Sequence, residues 1–113
     1  MPNLVRVDAG ITVQNNANLA SLTMPNLVHV DDIYVANNDN LDSLAMPNLF
    51  RVDDIYVLNN ANLASLTMPN LVRVDETIAI GPLGIYVANN ANLASLTMPN
   101  LVHVDEIYVA NND

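Results

Sequence analysis

Four pairs of carboxylates recur along this chain, at Asp31-Asp32, Asp53-Asp54, Asp75-Glu76 and Asp105-Glu106. Paired carboxylates can hydrolyse glycosidic bonds, and a group of oxygen ligands can hold Ca²⁺. A catalytic site is single and asymmetric, however, whereas this motif is repeated almost unchanged. The pairs therefore read as a solvated corner of a repeated unit, partly balanced by Arg6, Arg51 and Arg73 two residues upstream. His29 and His103 occupy that same upstream position. They lie three units apart, too far to share a metal, and read as exposed partners of neighbouring carboxylates. With no cysteine, no lysine and no Gly-rich phosphate loop, no enzyme, cofactor or metal centre is expected.

Three further rows could make contacts. Ser21-Leu22-Thr23 returns as Ser65-Leu66-Thr67 and Ser95-Leu96-Thr97, with Ser43-Leu44-Ala45 as a variant. If the leucines point inward, hydroxyls line a flat outer face in two rows, the kind of surface that ice-binding proteins present. Tyr34, Tyr56, Tyr86 and Tyr108 form an outward aromatic column, continued by Thr12, and Val5, Val28, Phe50, Val72 and Val102 form an apolar row. A ladder of tyrosines is a contiguous patch and a candidate protein interface, or else simple cross-strand stacking.

All these rows come from one repeat. Met46–Thr67 reads MPNLFRVDDIYVLNNANLASLT, and 24–45 is the same unit. Residues 1–23 are the unit plus one residue at Ala9-Gly10, 68–97 the unit plus eight around Thr77–Gly84, and 98–113 a shortened copy. A fixed period of this size marks a solenoid. The apolar positions lack helical spacing, and Pro47 and Asn59-Asn60 would break a helix. Ile55-Tyr56-Val57 instead alternates like a short strand. Leu49–Val52 and Leu66–Met68 read as two further sides, with Pro, Asn and Asp at the corners. The expected fold is all-β: a single parallel β-solenoid of about five 22-residue coils, with one β-hairpin insertion at 77–84. Ile78, Ile80, Pro82 and Leu83 of that insertion join the tyrosines as candidate interface residues. Leu41, Leu44, Val52 and Ile55, with their equivalents, should stack into core ladders.

The column Asn16, Asn38, Asn60, Asn90 and Asn112 recurs at one corner. Asparagine tolerates left-handed backbone there, and stacked amides can bond one another up the column. The role expected is structural. A net charge of −9 and a pI near 4.1 argue against nucleic acid and anionic membranes. No apolar run reaches the ~18–20 residues of a membrane span, no signal peptide is legible at Met1, and no Asn-x-Ser/Thr sequon occurs.

The pattern Ile33, Val35, Asn37-Asn38, Leu41, Leu44, Pro47-Asn48-Leu49 and Val52 resembles the repeat of receptor L domains, a branch of the leucine-rich-repeat-like solenoids. The likeness covers all five units. It departs where Asp31-Asp32 and Asp53-Asp54 replace a usual Gly pair and in lacking capping segments. The resemblance implies a right-handed solenoid and a non-catalytic, extracellular or cell-surface role. The copies are unusually alike, Ala61–Val72 being identical to Ala91–Val102, which fits recent duplication, a filament repeat or a consensus design. Neither end carries a charged or helical cap, and Asp113 stops six residues short of a full coil. Unpaired coil edges invite pairing. The leading expectation is thus a structural repeat that self-associates through its ends into a filament or surface layer, unless the chain is a piece of a longer solenoid. The alternative is an extracellular ligand-binding or adhesive module, and ice binding is a distant third.

Overall fold

The computed structural model describes residues 5–74, 84–104 and 107–112. The insertion residues Ile78, Ile80, Pro82 and Leu83 lie outside the described residues, as do Asp75, Glu76, Asp105 and Glu106. The described chain contains no helix and forms eleven strands. They are β1 (Arg6–Gln14), β2 (Ser21–Thr23), β3 (His29–Ala36), β4 (Ser43–Ala45), β5 (Arg51–Leu58), β6 (Ser65–Thr67), β7 (Arg73–Val74), β8 (Ile85–Ala88), β9 (Ser95–Thr97), β10 (His103–Val104) and β11 (Ile107–Ala110). All pairings are parallel and one coil apart. One sheet runs β1, β3, β5, then β7 with β8 as a single rung, then β10 with β11; the other runs β2, β4, β6, β9. The described residues therefore form a parallel β-solenoid of about four turns.

Each coil has two sheet-forming sides rather than three. The expected corner at the acidic pair is not one in the second and third coils, because β3 and β5 run straight through Asp31-Asp32 and Asp53-Asp54. What happens there is a slip in strand parity. Val52 and Ile55 both point inward and are fully buried, yet three positions separate them. Two consecutive residues must then sit between inward neighbours, which polar side chains tolerate and apolar ones would not. In the first coil the same point carries a register shift between Val7 and Gly10, at the one-residue surplus visible in the sequence.

The true corners are turns. Leu27 N–H bonds the Met24 carbonyl at 3.3 Å, and Leu49, Leu71 and Leu101 repeat this with Met46, Met68 and Met98. Proline at the second position of each Met-Pro-Asn-Leu turn presets the φ that such a turn needs. A second turn closes from Leu41 N–H to the Asn38 carbonyl at 3.0 Å. Between the sheets lies one core cluster in which Met24, Leu27, Ile33, Leu41, Leu44 and their equivalents in the next coil are fully buried. Leu19, Leu93, Leu96 and Val104, toward the two ends of the column, are only partly covered.

Leu44→Ala, in the middle of a fully buried column, is expected to cost about 2–5 kcal/mol in urea unfolding. Ser43→Ala, its outward neighbour, should stay within about 0.5 kcal/mol of wild type.

Candidate functional sites: the asparagine, tyrosine and aspartate columns

Asn38, Asn60 and Asn90 are the most buried polar side chains of the described chain, with no exposed surface. A primary amide has two N–H donors and an oxygen with two lone pairs, and these three buried members of the column use all of them. Asn38 Oδ1 accepts from Asn16 N at 3.0 Å and from Asn16 Nδ2 at 3.1 Å. Asn38 Nδ2 donates to Asn60 Oδ1 at 3.1 Å and to the Val13 carbonyl at 3.0 Å. The pattern repeats from Asn60 to Asn90 and from Asn90 to Asn112. Asn60, Asn90 and Asn112 likewise reach back to the carbonyls of Val35, Val57 and Val87. The expected amide ladder is thus present. The left-handed backbone belongs to the residue before it: φ is 60°, 57°, 57°, 60° and 56° at Asn15, Asn37, Asn59, Asn89 and Asn111. The first asparagine of each pair makes the bend, and the second turns inward.

A further asparagine column escaped the sequence reading. Asn48, Asn70 and Asn100 donate from Nδ2 to the carbonyls of Pro25, Pro47 and Pro69 in the coil before, at 2.6, 2.7 and 2.8 Å. Its signal in the sequence is the constancy of Pro-Asn in every unit, which a turn alone also explains.

The four tyrosines are opposite one another in register. Tyr34, Tyr56 and Tyr86 are half-buried on the outer face and Tyr108 is 50% exposed. Ring centroids are 6.2, 5.0 and 6.2 Å apart along the column; the Tyr56–Tyr86 pair is parallel within 5°, and the flanking pairs are tilted by 44° and 34°. Val5, Val28, Phe50 and Val102 form an exposed apolar row, Val102 at 83%. Ser21 and Thr23 flank the buried Leu22 outward, and Ala45 interrupts the threonine row.

The aspartates do not form an uninterrupted ladder. Gly10 lies opposite Asp32, and Gly84 follows Asp54 in that column. Asp54 is only 6% exposed, in contrast to the solvated corner expected of it. Its Oδ1 accepts the Gly84 N–H at 2.7 Å, while Ile55 N–H bonds the Gly84 carbonyl at 2.9 Å. Gly84 has φ 150°, a conformation that residues with a Cβ rarely adopt. Asp31, Asp32 and Asp53 remain on the outer surface. His29 Nε2 lies 3.2 Å from Asp31 Oδ1, and Arg6 pairs with Asp8. Burial, with Asp31 adding, raises the Asp32 carboxyl above its ordinary value of 3.8. Burial also raises Asp53, with Asp31 and Asp32 adding and Arg51 and His29 opposing. Among the described residues no group of three or more His, Asp or Glu has a geometry that could hold a metal ion.

Two outcomes are expected. Asn60→Ala strands the donors of Asn38 and the Oδ1 side of the next step, and should cost at least about 2 kcal/mol in urea unfolding. Asn62→Ala, at an exposed position, should be near neutral. The second concerns pH. A carboxyl whose folded pKa exceeds its unfolded one binds more protons when folded, so stability falls as pH rises through the folded pKa. The melting temperature should accordingly rise as pH is lowered from neutral toward the ordinary carboxylate value of 3.8, and Asp53→Asn should raise the pH 7 value and flatten the slope.

No protein-family model matches this chain, and no curated protein or solved structure matches it.

Proposed function

We propose that this protein is a non-enzymatic structural repeat whose copies add coil on coil to build a filament or surface layer. The polarity of the asparagine column carries this reading. At each step the donors, a backbone N–H and an Nδ2, lie on the earlier coil, and the accepting Oδ1 lies on the later one. The last described coil therefore offers donors at Asn112 and the first offers an acceptor at Asn16. Unlike ends fit and like ends do not, so growth runs head to tail. In such a joint β11 lies on β1, with Ile107 opposite Ile11 and Asn112 donating to Asn16. Ile107 and Val109 are about half exposed here, at 52% and 49%, although their equivalents Ile55 and Val57 are fully buried. Covering them supplies apolar area to the joint.

The second reading is a ligand-binding or adhesive module of receptor L-domain type at the cell surface, using the tyrosine column. The outward position of the four aligned rings supports it, together with the Pro-Asn-Leu and Leu-x-x-Leu elements of the repeat.

Negative-stain electron microscopy across a concentration series separates the two. Filaments one solenoid wide should lengthen with concentration, and Asn112→Asp, which removes a donor and sets a carboxylate against Asn16, should suppress them. Discrete particles at every concentration would exclude end-to-end addition and leave the binding module.

A further inference from the structure

The geometry points to the Tyr56–Tyr86 pair as a site of oxidative cross-linking, at which a carbon–carbon bond between the two phenol rings staples the third coil to the fourth. The register holds these residues directly opposite on adjacent parallel strands, at a spacing of about 4.8 Å. Their rings are parallel within 5° at 5.0 Å, whereas the Tyr34–Tyr56 and Tyr86–Tyr108 pairs are tilted and 6.2 Å apart. Both rings lie on the outer face and are partly exposed, so an oxidant in solution can reach them.

Competition from other side chains is slight. The chain has no cysteine and no tryptophan. Met24, Met46 and Met68 have no exposed surface, and Met98 is half-buried. Phenols are then the most accessible one-electron donors on the described surface. A radical formed on any of the four can pass along the column to the pair in closest contact.

The chemistry balances without a bound cofactor. Each phenol gives up one electron and one proton to become a phenoxyl radical. The two radicals join at ring carbons next to the hydroxyl-bearing carbons, and the hydrogens displaced there move to the oxygens, restoring both phenols. Two protons and two electrons leave in total, the electrons going to a two-electron acceptor such as peroxide or persulfate. The bond links coils that are joined in the chain by a 30-residue unit rather than a 22-residue one, so it shortens the longest connection in the column.

The test is brief photo-oxidation of the dilute protein with a ruthenium(II) polypyridyl sensitiser and persulfate, followed by trypsin. Cleavage after Arg6, Arg51 and Arg73 places Tyr34, Tyr56 and Tyr86 on separate peptides. The expected product is a monomer in which peptide 52–73 is joined to 74–113 with loss of two hydrogen atoms and with blue dityrosine fluorescence. Its thermal midpoint should be higher than that of the unoxidised protein. Tyr86→Phe should abolish the link, while Tyr34→Phe and Tyr108→Phe, each checked for an unchanged circular dichroism spectrum, should retain it. A link that survives Tyr86→Phe, links found only between molecules, equal joining of 7–51 to 52–73, or oxidation confined to Met98 would each overturn the assignment.

Discussion

Parallel pairing in register is the constraint on which everything else depends. It sets each residue against its own equivalent one coil away, so the sequence is tested against itself at every position. For Leu41 on Leu63 or Val52 on Val74 this builds dry columns. For Asn38 on Asn60 it joins a donor to an acceptor of the same side chain. For Tyr56 on Tyr86 it stacks rings. At charged positions it places like charge on like charge, Asp32 opposite Asp54 and Arg51 opposite Arg73, and the chain limits the cost to the aspartates by bracketing them with Gly10 and Gly84, by tying Asp54 to the Gly84 N–H, and by running His29 and Arg51 alongside.

The buried amides show how a repeat handles polar groups at a bend. The chain must turn where one sheet gives way to the other, and turning leaves backbone carbonyls without strand partners. Asn37 and its equivalents take the left-handed backbone that makes the bend possible. Asn38 and its equivalents then bond carbonyls of the coil before and the amide of the coil after. The division of labour between neighbouring asparagines gives the column a direction, since every oxygen faces the earlier coil's donors.

Departures from the 22-residue unit gather at one place. The single extra residue of the first coil and the eight extra residues of the fourth both enter at the acidic pair, where strand parity slips in the regular coils. In the regular third coil this point lies between two buried core positions, Val52 and Ile55. Gly84 then re-enters register opposite Asp54, and from Ile85 the rung continues as though uninterrupted.

The period, the alternation in Ile55-Tyr56-Val57 and the breakers at Pro47 and Asn59-Asn60 were enough to establish coils of parallel strands, the identity of the core ladders and the existence of an amide column. These follow from spacing alone, because stacking repeats whatever one unit contains. Spacing could not decide which residue of the Asn-Asn pair bends and which turns inward, nor that the acidic pair lies within a strand, nor that Asp54 is buried under Gly84. It also could not distinguish the close Tyr56–Tyr86 pair from its tilted neighbours. Each of these depends on how a coil closes around its core, and closure is a property of the whole turn and of the coils above and below it, not of any local run of residues.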